Sequence, residues 1–347
     1  MSQRHRTSVE GLLASLMAVV ILAALAPAGI AKAQAPRRLV IGMPVTPPNL
    51  PHVGVYIAKE LGYFDEQGIN VELTSFESGI QSLRGGVAGG LDIVGASSEP
   101  VITVISRGAK MRSIFSYAHK LTVVMAAQES IRRPADLRGK NLGIQDVGAF
   151  REVMTRAVLH SAGLSPKDVN YVPVASAGYI SALVANKIDT AILHIDQAYM
   201  ARAKKASLHP LVPLWELMPN YWYGTFSTNE ELLRKEPDLL ARAVAAIIKA
   251  HRFMYREKER TLDLASKHTG YPKEVLSPAY DALAAAKVWP VNDGMPAEMV
   301  EVTINKLVEI GLLKENEKPK AEQVVDRGPA NSALAKLGRW TDDPSWK

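Results

Sequence analysis

The feature that most limits how this chain can fold is a pattern that occurs twice: short apolar strand, loop of small or chain-breaking residues, helix, and strand again. In the first copy Arg38-Leu-Val-Ile-Gly42 reads as a β-branched strand. Pro47-Pro48-Asn49 stops it, and an apolar-periodic helix from His52 to Leu61 closes at Gly62. Gly68-Ile-Asn-Val-Glu-Leu73 alternates as a strand does, and a short helix with Ile80, Leu83 and Val87 at helical spacing follows. After the glycines of 85–90, Leu91-Asp-Ile-Val-Gly-Ala96 forms a buried strand running into a helix with Val101, Val104 and Ile105. The second copy starts about a hundred residues later. It runs through a strand at Asn141-Leu-Gly-Ile-Gln145, a helix from about Gly148 to Ala162, a strand over Asp168–Val174, a helix from Ala177 to Ala185 and a strand over Ile188–His194. Leu91-Asp92-Ile93-Val94 and Ile188-Asp189-Thr190-Ala191 hold matching places in the two copies. The expected class is therefore α/β, with two related Rossmann-like lobes, each a small parallel sheet carrying helices on both faces.

Two extended stretches, Tyr117–Met125 and Leu214–Thr225, are the expected hinge links. They divide the chain into a first lobe of 34–120 with 225–347 and a second of 121–224. From about Asn229 the chain reads as helical, with an apolar stripe through Leu240, Val244, Ile247 and Ile248 and further helices near 273–287 and 296–312, returning to cover the first lobe. The tail after Asn316 reads as polar and irregular.

Residues 1–33 read as a secretory signal peptide: Arg4 and Arg6, an apolar run from Leu12 to Ala26, then a small-x-small site at Ala31-Lys32-Ala33. The run of about fifteen residues is shorter than the roughly twenty that span a bilayer. Cleavage is expected after Ala33, with Ala35 as the competing site, and the working protein is expected in the periplasm. With no cysteine in 347 residues, a lipoprotein anchor, a disulfide framework and a thiolate metal site are all impossible. The net charge of +6 comes from scattered basic residues, without the stripe of a nucleic-acid reader.

Catalytic patterns are absent. The eight histidines include no pair at zincin spacing, Gly139-Lys140-Asn141 is not a phosphate loop, and no Gly-x-Ser-x-Gly elbow occurs. No metal, cofactor or catalytic residue is expected. Ligands of open parallel sheets gather instead where the carboxyl ends of strands hand over to helices. That rule selects Thr46 and Asn49, Ser78 and Gly79, Ser97 and Ser98, and Tyr117 with His119 in the first half. In the second half it selects Gly148, Ala149, Phe150, Arg151, Ser176, His194 and Asp196, with Trp222 from the second link. Serines at helix starts offer hydroxyls beside free N–H groups, or simply cap the helix. Gly148-Ala149 lets a ligand approach the backbone. Arg151 opposes the dipole of its own helix; a bound anion relieves that conflict, or Glu152 pairs with it. Phe150, Tyr117, Tyr179, Trp222 and Tyr223 are either flat walls for a ligand or packing between the lobes, and His194 is either a core residue or a donor. His52 reads as decorating the first helix.

Four phrases carry a resemblance. They are Ala58-Lys-Glu-Leu-Gly-Tyr-Phe-Asp-Glu-Gln-Gly68 with Val71-Glu72, the region from Gly89 to Ile93, Ile131-Arg-Arg-Pro-Ala-Asp-Leu-Arg-Gly-Lys140, and Ala162-Gly-Leu164 with Asp168-Val169. Over about 38–257 the chain resembles the exported solute-binding proteins of ABC importers, in the branch for nitrate, sulfonates and taurine and for thiamine-pyrimidine precursors. The resemblance implies a type II periplasmic-binding-protein fold whose first lobe is completed by C-terminal helices. It implies a monomer that closes on a small polar or anionic organic solute (sulfonate, carboxylate or pyrimidine-like) and presents it to an ABC permease of the inner membrane. Where the sulfonate pattern often has proline after the strand ending at His194, this chain has Ile195-Asp196. The alternatives are an enzyme on the same scaffold and a receptor that signals to a membrane sensor.

Overall fold

A computed structural model describes residues 35–342; the expected signal peptide at 1–33 lies outside them. Ten strands occur among the described residues: β1 (Arg37–Met43), β2 (Ile69–Ser75), β3 (Ile93–Ser97), β4 (Met111–Lys120), β5 (Val123–Ala127), β6 (Asn141–Ile144), β7 (Asn170–Pro173), β8 (Thr190–His194), β9 (His209–Pro213) and β10 (Trp222–Asn229). They form two five-stranded sheets of the same design, ordered β2-β1-β3-β10-β4 and β7-β6-β8-β5-β9. The parallel βαβ units expected from the sequence are present as β2-β1-β3 and β7-β6-β8. Neither sheet is wholly parallel, because β10 runs antiparallel to β3 and β4, and β5 antiparallel to β8 and β9. In each sheet the reversed strand is the first one formed after the chain arrives from the other sheet. It therefore enters without the helical crossover that would turn it parallel.

The helices of the repeated units are α1 (Val53–Glu60), α2 (Gly79–Val87), α3 (Ser98–Ser106), α4 (Phe150–Ser161), α5 (Tyr179–Val184) and α6 (Ile195–Lys204). The chain leaves the first sheet through Leu121 and Thr122. It returns through α7 (Leu214–Leu217), one helical turn inside a stretch expected to be wholly extended, so Trp222, Tyr223 and Gly224 are strand residues of the first sheet. The C-terminal part holds α8 (Glu230–Lys235), α9 (Pro237–Arg256), α10 (Lys258–Thr269), α11 (Lys273–Ala285), α12 (Ala297–Glu309), α13 (Ala321–Val324) and α14 (Gly328–Leu337). The stripe on α9 is buried against α1, β4 and α14, and α12 and α13 pack on α3 and the β4–β10 edge, so the C-terminal helices cover the first sheet. α11 also reaches α6 of the second sheet. The tail after Asn316 is not irregular as expected: Val324, Ala330, Ala333 and Leu334 are buried, and Val325 bridges Ser113 of β4. Small apolar residues, which give a weak sequence signal, do that packing. One buried cluster extends from Leu39 and Ile41 through the helices to Met125, Leu142 and Ile192 of the second sheet, and a smaller one surrounds Tyr179, Leu183 and Leu193.

Candidate functional site

The carboxyl ends of β1, β2 and β3 meet those of β6, β7 and β8, and the loops that follow these strands are tied together. Ser78 Oγ donates to Asp146 Oδ2 at 2.9 Å, and Gln145 Nε2 donates to the Glu77 carbonyl at 2.5 Å. The Ser176 N–H donates to Glu77 Oε2 at 3.1 Å, and the Leu50 N–H to Asp196 Oδ2 at 2.9 Å. This clasp encloses a cavity of about 30 Å³ lined by Pro44, Val45, His52, Gly79, Ser97, Tyr117, Gln145, Phe150, Arg151, His194 and Tyr223. That volume holds a few water molecules at most, so the two sheets stand closed on one another.

The walls are rings. His52 and His194 meet edge to face with centroids 5.3 Å apart, and Tyr223 Oη lies 3.2 Å from His52 Nε2 and 3.4 Å from His194 Nε2. Phe150 stacks on His194 at 5.8 Å and lies 4.6 Å from the Tyr223 ring, while Tyr117 packs 5.0 Å from His52. Burial, reinforced by the Arg151 charge, lowers His52 to about 3; burial, then His52 and Arg151, hold His194 well below its ordinary value. Both imidazoles are therefore neutral at physiological pH, each with one nitrogen able to donate and one able to accept.

Arg151 is the cation of the site and is almost wholly buried. Its guanidinium donates to the Ile192 carbonyl and, at 3.0 Å, to Gln197 Oε1, and lies 4.2 Å over the Tyr179 ring. No carboxylate among the described residues forms an ion pair with it. Glu152, the partner that its position in the helix suggested, instead accepts from Arg156, the Tyr171 hydroxyl and the Gly148 N–H. Two buried carboxyls stand close by. Burial raises Glu99 to about 7, against the opposing pull of hydrogen bonds from Ser97 and Tyr221, and raises Asp196 to about 6 against the Leu50 N–H. Glu99 Oε2, Asp196 Oδ1, Asn49 Oδ1, Ser176 Oγ and His194 Nδ1 are buried with no hydrogen-bond partner among the described residues. Buried polar atoms without partners are uncommon in folded proteins, and these leave the loops around the cavity with unmet hydrogen-bonding capacity.

The structure sorts the residues selected from the sequence into four sets. Gly79, Ser97, Tyr117, Phe150, Arg151 and His194 line the cavity, and Ser78, Ser176 and Asp196 form the clasp. Thr46, Asn49, Gly148 and Ala149 lie in the surrounding loops without lining the cavity, and the Gly148 N–H is already taken by Glu152. Ser98, His119 and Trp222 belong to the core. The Ser98 hydroxyl donates to the Trp222 carbonyl at 2.6 Å, and the Trp222 indole to Ser116 at 2.7 Å. His119 is buried, with its N–H on the Val288 carbonyl. Their polar groups are spent on packing the first sheet against its C-terminal helices. Of the other lining residues, Tyr223 reads in sequence as a wall or as packing and His52 as a decoration of the first helix, while Gln145, Pro44 and Val45 are not singled out by the sequence. Tyr223 follows Trp222 on β10, and neighbouring strand residues face opposite ways, so the pattern names the pair without saying which member faces the ligand side. His52 ends the short 3-10 turn Leu50–His52 after β1, a placement that helical periodicity cannot distinguish from the surface.

The folded chain is similar to a Bordetella bronchiseptica RB50 protein at a TM-score of 0.76 and 18% identity, covering 88% of this chain and 98% of that one. It is similar to the periplasmic nitrate-binding protein NrtA of Synechocystis PCC 6803 at 0.72 and 14%, covering 88% and 90%. The periplasmic aliphatic sulphonate binding protein SsuA of Escherichia coli follows at 0.65 and 19%, covering 84% and 92%. These likenesses establish the periplasmic-binding-protein fold. In sequence, the chain is 24% identical over 212 residues to a Brucella abortus (strain 2308) protein whose curated name is "putative binding protein", covering 61% of this chain and 66% of that one. It is 21% identical over 223 residues to the formylaminopyrimidine-binding protein of Halalkalibacterium halodurans, covering 62% and 66%. The chain thus spans just under two thirds of the length of the curated relatives it matches. Residues 49–261, more than half of the chain, match the family described as NMT1/THI5 like, and the chain belongs to that family.

Proposed function

We propose that this protein is the solute-binding receptor of an ABC importer: it captures a small polar or anionic organic molecule between its two lobes in the periplasm and delivers it to the permease. The lobes are 34–120 with 225–347, and 121–224. The observation that carries the reading is the cavity between the two sets of strand ends, walled by neutral imidazoles and tyrosines, supplied with one buried cation and clasped by hydrogen bonds from both sheets. At about 30 Å³ it admits no organic solute until the lobes part, so capture is an opening followed by closure around the guest. Closure excludes water and strengthens each polar contact to the solute. Solutes consistent with these walls are compact or planar: a sulfonate, a carboxylate or a pyrimidine-like ring. The two imidazoles and two tyrosines hydrogen-bond such a molecule and stack on it, while Arg151 supplies the charge an anion needs. A micromolar complex requires about 8 kcal/mol, within reach of a few charge-assisted hydrogen bonds and one stacked face.

Native mass spectrometry of protein purified without refolding, followed by denaturation and analysis of the released molecule, tests the proposal. The expected result is a single bound solute, returned chemically unchanged and able to rebind the stripped protein. Release of a transformed molecule, or no saturable binding of small anions or pyrimidines to stripped protein, contradicts it.

A further inference from the structure

A second, much larger cavity shares no residue with the first. Its volume is about 510 Å³, within the range of small-molecule sites. Both crossovers contribute to its wall: Leu121 and Thr122 of the outward link, next to Lys120 at the end of β4, and Trp215 and Met218 to Tyr221 from the return. α11 closes one side with Ala282 and Leu283, Ala286 follows at its end, and Ile195 and Met299 complete it.

Three observations separate this cavity from a mere packing gap. The first is its lining, which is apolar over most of its extent yet open enough that Trp215 is 39% exposed, among the few large hydrophobic side chains left to solvent in the described residues. The second is its charge. Lys120 is half-buried on this wall and donates to the Ala286 carbonyl at 2.9 Å, which leaves further ammonium hydrogens, and no carboxylate among the described residues pairs with it. The Lys287 charge adds to burial in lowering its pKa, so positive charge is concentrated at this end. The third is Thr122, a buried residue of the same wall whose hydroxyl has no partner among the described residues. An apolar well with an unneutralised ammonium on its wall, and a buried hydroxyl without a partner behind that wall, fits one kind of guest. We propose that this cavity is a second ligand site for an amphipathic organic anion, an aromatic or short alkyl body bearing one carboxylate or sulfonate that meets Lys120.

The place of the site gives it a consequence. Ile195 follows His194, and Tyr221 stands two residues before Tyr223, so each cavity is walled by neighbours of residues that wall the other. An occupant between the two crossovers biases the movement of one lobe against the other. That consequence rests on the receptor reading above, whereas the site itself does not.

The test is titration of the full chain, labelled with 13C at its methionine methyls, with 8-anilinonaphthalene-1-sulfonate. The expected result is saturable one-to-one binding in which the methyls of Met218 and Met299 shift. Ala282→Trp, which fills the well, abolishes those shifts, and Lys120→Met weakens binding at least about fivefold, as loss of a charge-assisted contact requires. Absence of saturable binding overturns the proposal. So does binding that moves other methionines while these two stay silent, or binding left intact by Lys120→Met, a variant that removes charge without adding bulk. Should Ala282→Trp fail to fold, the methyl shifts and the Lys120→Met titration decide the matter on their own.

Discussion

The unusual residues of this protein are buried groups held in the protonation state that burial favours. His52 and His119 are lowered to about 3 and His251 to about 4, and His194 is held well below its ordinary value, all chiefly by burial; Glu99 and Asp196 are raised to about 7 and about 6 by the same cause. A histidine whose folded pKa lies below its unfolded value contributes stability that is complete above about pH 6.5 and is lost as the pH falls towards the folded value. A carboxyl raised on folding works the other way, with its contribution complete below about pH 4 and lost as the pH rises through the folded value. Near pH 5 the unfolded chain therefore takes up four protons at these imidazoles and releases two at the carboxyls. Stability should rise with pH by about 2 to 3 kcal/mol per unit between pH 5 and 6. Urea unfolding at the two pH values reads this directly, and a flat or falling trend contradicts it. Glu99→Gln removes one opposing proton and should steepen the rise. Arg151 has two roles to separate. Arg151→Met keeps its bulk but strips the Ile192 carbonyl and Gln197 of their donor, and should cost about 2 to 4 kcal/mol of stability in the same assay. It should also weaken an anionic solute at least tenfold by calorimetry. Unchanged affinity would make Arg151 purely structural.

At the scale of elements, the short loops after the strands hold the closed form. Each hydrogen bond of the clasp contributes about 1 kcal/mol, so removing one should raise the ratio of open to closed molecules roughly fivefold. Ser78→Ala and Gln145→Ala together should expand the molecule measurably by small-angle X-ray scattering, and a profile identical to the unaltered protein would mean that the clasp does not hold closure. β10 is equally specific. A Cβ at Gly224 would lie 2.2 Å from the Tyr117 ring, so Gly224→Ala should push that ring into the solute cavity and reduce affinity while the sheets persist. Elements with a strong period were legible in sequence: β1, α1, α4 and the stripe on α9 lie within a residue or two of where apolar spacing put them. β9, α7 and α10 were not legible. β9 carries two prolines, α7 is a single turn, and α10 is rich in charge, so each owes its form to what it packs against.

At the scale of the whole molecule, the duplicated strand-and-helix pattern was the legible part, because a repeat of apolar periodicities specifies two sheets whatever their loops contain. The reversal of β5 and β10 was not legible, since strand direction depends on where the chain re-enters a sheet and not on the residues of the strand. The site was legible to the same degree. The rule of carboxyl strand ends found the loops, including Ser97, Phe150, Arg151 and His194, and missed His52 and Tyr223, whose importance arises only when the two halves face each other. The central claim is that the two sheets close on one guest at that meeting point. A crystal structure of the protein purified together with its native solute tests it most directly. The solute is expected between His52, His194, Phe150 and Tyr223, with hydrogen bonds from both halves of the chain; a solute bound to one half alone, or anywhere outside those rings, would contradict closure on a shared guest.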